Sequence, residues 1–247
     1  MSRLRSATTV PMPAMPLRTR PLRAVIFDMD GTLVDSERVI MRAWLSAAQQ
    51  AGRPIDPEFY VKVIGLNVEE SDRVLLGHLG STVLLETIRQ TVSRQLAARD
   101  ESIIFPLKPG AAELLDTLRS AGIPCAVASS SSVQEIKERL TRVRVLEFFE
   151  TIAGGDEVSR GKPDPAVYRL AAARLGIPPE QCLVFEDSAH GAASASATGA
   201  EVVLVPDMRK PEPALLESVS LVLDSLANAI PVVSTWFGQR AENHADT

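Results

Sequence analysis

Two aspartates, Asp28 and Asp30, stand one residue apart directly after the short apolar run 24–27. Such a run is typical of a buried strand, and two carboxylates at its end repel each other and lose hydration. A bound cation or a reaction must offset that cost. The pair is therefore the first candidate for a chemical role.

Three further polar segments follow or precede predicted elements in the same way. The serines 129–132 follow the apolar run 125–128, and Glu186-Asp187-Ser188 follows the run 182–185. The segment Gly161-Lys162-Pro163-Asp164 stands before a predicted helix. Ligands of an open parallel sheet bind at the carboxyl ends of its strands, so we expect all four pieces in one crevice.

The side chains in these segments are those that phosphoryl transfer requires. Four carboxylates can share a hard dication such as Mg²⁺, namely Asp28, Asp30, Glu186 and Asp187. Ser129 and Lys162 can hold an anion and neutralise charge on phosphoryl oxygens. A carboxylate can then act as the nucleophile and form an aspartyl-phosphate. Each piece alone is a common turn, loop or helix start, and only their combination points to this chemistry.

The elements that must position these residues alternate between strand and helix. Strands are predicted at residues 23–27, 123–128, 182–185 and 202–205. Ser36 is a candidate N-cap of a helix that Gly52 ends, and Asp164-Pro165 opens a helix that Gly176 ends. This alternation predicts an α/β fold with a Rossmann-like parallel sheet.

The segment 37–106 lacks a convincing strand and is expected to be a helical insertion after the first strand. The α/β core then comprises residues 23–36 and 107–232. Residues 1–22, rich in arginine and proline, are expected to form a disordered leader, and residues 233–247 a flexible tail.

The composition of the 247-residue chain fits a soluble globular protein, with 45% hydrophobic and 23% charged residues. A net charge of −5 gives no basic surplus, so nucleic acid and anionic membranes are not expected partners. No apolar run approaches the roughly 18–20 residues of a membrane helix. We expect a cytoplasmic monomer or weak homodimer, with Cys125 and Cys182 as buried free thiols.

Taken together, these motifs resemble those of the haloacid dehalogenase superfamily. The run from Asp28 to Glu37 resembles its first motif, and Ser129 its second. Lys162 in Gly-Lys-Pro-Asp-Pro resembles the third motif, and Glu186-Asp187-Ser188 the fourth. The resemblance extends from about Arg23 to Asp207 and implies that the insertion 37–106 is a helical cap.

The resemblance also implies a role for each matched residue. Asp28 would be the nucleophile and a metal ligand, and Asp30 the general acid and base, with its backbone carbonyl on Mg²⁺. Ser129 and Lys162 would hold the phosphoryl group. Asp187 would ligate Mg²⁺, with Glu186 close to it.

Substrate-binding roles are predicted for four further residues. Thr32 would support the turn that orients the aspartates, and Ser130 lies beside the phosphoryl site. In the cap, Gly65 and Asn67 are expected to face the substrate, although Asn67 has an equally good interpretation as the N-cap of the helix beginning before Glu69.

Three functions compete within this resemblance. Asp30 argues against dehalogenation, because dehalogenase members lack the second aspartate. The β-phosphoglucomutase-like members carry a cap histidine and a cap arginine where this chain has Ile40 and Val68. We therefore predict a Mg²⁺-dependent phosphatase of a small phosphorylated metabolite, a sugar phosphate, with the mutase as the alternative. A catalytically silent binding protein is the non-enzyme alternative to all three.

Overall fold

A computed structural model describes residues 21–64, 66, 68–97 and 105–238. Within that part of the chain, six parallel strands form one sheet in the order β3-β2-β1-β4-β5-β6. The strands are β1 (Ala24–Phe27), β2 (Cys125–Ala128), β3 (Thr151–Ala153), β4 (Cys182–Glu186), β5 (Glu201–Leu204) and β6 (Leu221–Val222). The predicted α/β fold with a parallel sheet is confirmed.

Strand β1 lies in the middle of the sheet, and all four of its residues are buried. Its side chains alternate between two apolar layers, with Val25 and Phe27 in one and Ala24 and Ile26 in the other. Phe27 pairs with Val127 of β2 on one side and with Phe185 of β4 on the other. The three central strands therefore end at nearly the same level, which brings the residues after them to one edge.

Helices cover both faces of the sheet. They are α5 (Ala111–Ser120), α6 (Val133–Arg142), α7 (Ala166–Leu175), α8 (Ala189–Ser196), α9 (Pro213–Ser218) and α10 (Ala229–Gly238). Gly176 ends α7 with a φ of +66°, as predicted. The start of α7 differs from expectation, because Pro165 occupies the N-cap position and the helix begins at Ala166. Asp164 lies one residue earlier, and its Oδ1 accepts a 3.0 Å hydrogen bond from the Ala166 N–H.

The described residues of the insertion form four α-helices: α1 (Ser36–Gln50), α2 (Pro57–Tyr60), α3 (Val68–Leu79) and α4 (Thr82–Ala97). They enclose an apolar cluster of their own that includes Trp44, Tyr60 and Ile88. The chain leaves and re-enters the core side by side, since the Asp35 N–H donates to the Pro106 carbonyl at 2.8 Å. The helical insertion, hereafter the cap, thus rests on two adjacent chain segments.

Three other local predictions need correction. Ser36 is the first residue of α1 rather than its cap, and Asp35 occupies the N-cap position without a side-chain cap bond. Leu22 does not belong to a disordered segment, because it is 1% exposed and packs in the core. Residues 233–238 do not belong to a flexible tail, because α10 runs through Gly238 and buries Trp236 and Phe237. Residues 1–20 and 239–247 lie outside the described residues.

The two cysteines agree with expectation. Cys125 and Cys182 are both buried and free, and burial raises the pKa of each thiol to about 12. No helix in the described part of the chain combines the length and the apolar character needed to cross a membrane.

Candidate active site

Asp28 takes its place at the sheet edge because the β1–β4 ladder continues one residue beyond Phe27. Its backbone N–H donates to the Phe185 carbonyl at 2.9 Å. The side chain is 8% exposed. Its Oδ2 is buried and has no hydrogen-bond partner among the described residues. Burial, which outweighs the nearby Lys162, raises the pKa of Asp28 to about 7.

Lys162 lies in the loop before α7 and inserts a buried ammonium between two carboxylates. Its Nζ donates to Asp28 Oδ1 at 2.5 Å and to Glu186 Oε1 at 2.7 Å, and its side chain is 7% exposed. The Tyr168 hydroxyl also donates to Glu186 Oε1, at 2.9 Å. These contacts fix a single positive charge next to the candidate nucleophile.

Glu186 serves mainly to hold this arrangement together. Its Oε2 accepts from the backbone N–H groups of Asp187 and Ser188 at 2.9 and 2.8 Å, and from the Ser188 hydroxyl at 3.0 Å. Burial opposes ionisation, but Lys162 and these hydrogen bonds lower the pKa of Glu186 below its usual range. A side chain at position 191 would overlap Glu186, since a Cβ on Gly191 would lie 1.6 Å from Oε1.

Asp187 lies beside the turn that follows β1. Gly31 adopts a φ of +89°, and a Cβ there would lie 2.3 Å from Asp187 Oδ2, so only glycine lets the turn and the carboxylate approach. Burial first, then the charges of Glu186 and Asp28, raise the pKa of Asp187 well above its usual range. Thr32 is fully buried and donates to Asp187 Oδ1 at 3.4 Å. Thr32 is therefore placed to position a carboxylate, and a direct contact between Thr32 and substrate stays a prediction.

A metal ion fits this group of residues. Asp28, Glu186 and Asp187 each offer a carboxylate oxygen, and these atoms all lie within 4.8 Å of one another. Asp28 Oδ2 is buried without a hydrogen-bond partner among the described residues, as expected of an oxygen that a cation would satisfy. Oxygen-only donors of this kind suit a hard dication such as Mg²⁺.

The Asp30 carboxylate lies apart from this cluster. Arg139 Nη1 donates to its Oδ1 at 2.6 Å, and the Ser131 hydroxyl donates to its Oδ2 at 2.9 Å. The sequence gives no role to Arg139, and it marks Ser131 only as part of the serine segment 129–132. The side chain of Asp30 is thus available for a role other than metal binding.

Ser129 and Ser130 form the β2 side of the site. Ser129 is 1% exposed, its N–H donates to the Ala153 carbonyl at 3.1 Å, and its Oγ accepts the Ser131 N–H at 3.1 Å. Ser130 is exposed. Both line the cleft together with Lys162, where an anion can be bound.

The cleft has a volume of about 340 Å³, with the core carboxylates and Lys162 at its base and Leu66 and Val68 of the cap on its wall. Val68 is 73% exposed. Gly65 and Asn67, the predicted cap contacts, lie outside the described residues, and their neighbours occupy the cleft wall.

Glu37, in the first turn of α1, also lines the cleft and had no predicted role. Burial, followed by the charges of Asp30 and Asp207, raises the pKa of Glu37 to about 7. A carboxyl group with this environment is a candidate for contact with substrate hydroxyls.

A second pocket of about 430 Å³ adjoins the cleft and shares Leu66, Asp187, Ser188 and His190 with it. It lies between the cap and the segment after β5, and its apolar walls include Ile64, Met208, Pro211 and Leu215. Arg209 bridges the two sides, donating to the Ile64 carbonyl at 3.2 Å. Space for a molecule larger than phosphate is therefore present beside the core carboxylates.

Comparison with known proteins agrees with this geometry. The family model for haloacid dehalogenase-like hydrolases matches residues 25–205. The phosphorylated carbohydrates phosphatase of Thermotoga maritima is 34% identical over 180 residues, which cover 73% of this chain and 83% of that protein. Hexitol phosphatase A of Escherichia coli is 34% identical over 206 residues, covering 83% and 91%.

Among solved structures, a haloacid dehalogenase family hydrolase from Deinococcus radiodurans with bound phosphate and sodium superimposes with a TM-score of 0.73. It is 30% identical, and the match covers 87% of this chain and 96% of that one.

Proposed function

This chain belongs to the haloacid dehalogenase-like hydrolase family, and we propose that it hydrolyses a small sugar phosphate through an aspartyl-phosphate on Asp28, with Mg²⁺ as cofactor. It is a phosphoric monoester hydrolase, as its phosphatase relatives support. The observation that carries the finer proposal is the buried contact of Lys162 with Asp28, whose second oxygen has no hydrogen-bond partner among the described residues.

In the first step, a carboxylate oxygen of Asp28 attacks phosphorus, and the bond between phosphorus and the ester oxygen breaks. Asp30 gives its proton to that oxygen, so the product leaves as a neutral alcohol. In the second step, water gives a proton to Asp30 and its oxygen attacks phosphorus. The bond to Asp28 breaks, which releases inorganic phosphate and restores both aspartates.

The surrounding residues hold the transferred group during both steps. Lys162 and Ser129 face the cleft, where they offset and bind the negative phosphoryl oxygens. Asp28 and Asp187, with Glu186 beside them, would hold Mg²⁺, which supplies further positive charge to those oxygens. The hydrogen bond from Lys162 to Glu186 holds the Lys162 side chain in position without substrate.

The cleft favours a phosphatase over a mutase. A mutase of this type holds a second phosphate with cationic cap residues, whereas Val68 presents an apolar side chain to the cleft. Ile40 packs against the apolar clusters of both the core and the cap. Glu37 adds a carboxyl group on the cleft, where a second phosphate would require a cation.

A sugar phosphate agrees with the shape of the site and with the relatives. The adjoining pocket of about 430 Å³ leaves space for an alcohol larger than a few carbons. Glu37 offers an acceptor for its hydroxyl groups. One relative is named for phosphorylated carbohydrates and another for hexitols. The cytoplasmic location and the monomeric or weakly dimeric state stay predictions.

The test is phosphate release from p-nitrophenyl phosphate and a panel of sugar phosphates, with and without Mg²⁺. We expect Mg²⁺-dependent hydrolysis, and a loss on the order of 10³-fold or more in Asp28→Asn. Mass spectrometry of rapidly quenched wild-type protein should find one phosphoryl group on Asp28. Asp116→Asn, at an exposed position of α5, is the control.

Undiminished activity in Asp28→Asn would overturn the aspartyl-phosphate. A requirement for a sugar bisphosphate, with phosphate retained in the product, would establish the mutase instead.

A further inference from the structure

Both carboxylate oxygens of Asp30 are engaged by side chains from beyond β2. Arg139 Nη1 donates to Oδ1 at 2.6 Å, and the Ser131 hydroxyl donates to Oδ2 at 2.9 Å. Arg139 also donates to Ser131 Oγ at 3.3 Å, which closes a triangle of three polar groups. The orientation of the Asp30 carboxylate is thereby defined at both oxygens.

Arg139 is itself held from two sides. Its Nη2 donates to Glu135 Oε1 at 3.3 Å on the same helix, and its guanidinium carbon lies 5.0 Å from the centre of the Phe105 ring. Phe105 is 6% exposed and lies where the chain re-enters the core after the cap. The Arg139 side chain is 18% exposed, so solvent screens its pair with Asp30 only in part.

Asp30 needs such support because of its place in the chain. It lies beyond the last residue of β1, and the next residue, Gly31, adopts a left-handed conformation. The same cleft contains Lys162, a buried cation that attracts any carboxylate free to turn toward it. A proton donor must instead stay within reach of the ester oxygen, and small displacements reduce proton transfer strongly.

We propose that Arg139 is a positioning residue for Asp30: with Ser131, it holds the carboxylate away from Lys162 and in place for proton transfer. The proposal rests on the function proposed above, in which Asp30 protonates the leaving alcohol and later accepts a proton from water. Arg139 touches Asp30 and acts through it, without contacting the transferred phosphoryl group.

The test compares leaving groups in wild type and Arg139→Met. p-Nitrophenolate leaves without a proton, whereas a sugar alkoxide needs one. In the variant, the first turnover of the best sugar phosphate should slow by about 10–100-fold, and that of p-nitrophenyl phosphate by less than about threefold. Hydrolysis of the phosphoenzyme should slow for both, so p-nitrophenyl phosphate should show a burst equal to the enzyme concentration.

Two further variants separate positioning from folding. Arg139→Lys keeps one charged donor and should restore part of the sugar-phosphate rate. Arg142→Met, at an exposed position of the same helix, should match wild type for both substrates. The substrate dissociation constant, taken from the concentration dependence of the first turnover, should change little in all three variants, because none of these residues is needed to bind the phosphoryl group.

Equal slowing of both first turnovers in Arg139→Met, or no slowing of either, would overturn the proposal. A wild-type protein without phosphatase activity would overturn the proposed function and this proposal together, whereas an active wild type with equal losses overturns only the role of Arg139.

Discussion

The two walls of the cleft differ in the chemistry and burial of their side chains. The core wall consists of buried charges held at hydrogen-bond distance, such as Lys162 between Asp28 and Glu186 at 2.5 and 2.7 Å. The cap wall presents apolar side chains, and one of them, Val68, is 73% exposed. The side chains of the core wall hold one another in place without substrate. The exposed side chains of the cap wall make contacts only when a substrate covers them.

This difference separates the tasks of the two regions. Buried charges act on the phosphoryl group, which every substrate shares, so altering them should affect all substrates alike. Apolar cap residues meet the alcohol, which differs between substrates, and each contributes only the free energy of a small buried area. Variants in the core should therefore change the reaction, and variants in the cap should change the preference.

The largest effect is expected from Lys162→Met. Loss of the ammonium leaves Asp28 and Glu186 as neighbouring buried carboxylates without their cation, and it removes a positive charge from the phosphoryl site. We expect kcat to fall by roughly 10²–10³-fold for every phosphate ester in a panel. Steady-state assays at saturating Mg²⁺ would measure this loss.

A matched control is Lys108→Met, which also removes a lysine from an ion pair, with a side chain that is 12% exposed. Lys108 Nζ donates to Asp207 Oδ1 at 2.5 Å, and Asp207 keeps a second cation in Arg38 at 2.8 Å. This variant should lose stability yet retain kcat within about tenfold of wild type. Equal losses of kcat in the two variants would mean that Lys162 acts on folding and not on the phosphoryl group.

A smaller, selective effect is expected from Val68→Ala in the cap. Removing two methyl groups over the cleft should raise KM for the preferred sugar phosphate by about 3–10-fold, because less apolar surface is buried against the alcohol. Relative kcat/KM values across the panel should change, while Mg²⁺ dependence stays as in wild type.

Val83→Ala is the control for this change, because Val83 is 75% exposed on α4 of the same cap. We expect it to match wild type for every substrate. A uniform loss of kcat in Val68→Ala would show that this residue affects the chemical step. It would contradict the proposal that the core determines the reaction and the cap determines the substrate preference.

The core wall was largely predictable from sequence. Apolar runs ending in Asp28 and in Glu186 predict strands, and a parallel sheet brings their carboxyl ends together. Lys162 was harder, since the loop before α7 carries no local sign of where its side chain points. The α/β fold was predicted from the same apolar runs. Strands β3 and β6 were not predicted, because at three and two residues they are too short for a periodic pattern.

The rest depended on contacts between residues far apart in the chain. Arg139 contacts Asp30 although the two residues are 109 positions apart in the sequence. Neither residue type indicates which partner it will have. Thr32 is conspicuous in the motif, but only the folded structure shows that its side chain is buried against Asp187. Glu37 was part of the first motif, yet its position on the cleft follows from how α1 packs.

The smallest expected effect concerns Glu37, which belongs to a cap helix but lines the cleft beside the core carboxylates. Its pKa is raised from 4.5 to about 7, chiefly by burial and then by neighbouring charges. The folded protein therefore keeps this proton after the unfolded chain has lost it. The contribution of Glu37 to stability is greatest below pH 4.5 and declines as pH rises toward 7.

Glu37→Gln removes this titration. The free energy of unfolding of the variant, relative to wild type, should rise by about 1–3 kcal/mol between pH 4.5 and pH 7.5 and stay level above that. Urea denaturation at a series of pH values, in metal-free buffer, would measure it. Glu113→Gln, exposed on α5, should track wild type. If the free energy of unfolding of Glu37→Gln instead follows that of wild type at every pH, the Glu37 carboxyl group is solvated. The cap wall of the cleft is then less buried at this position than the core wall.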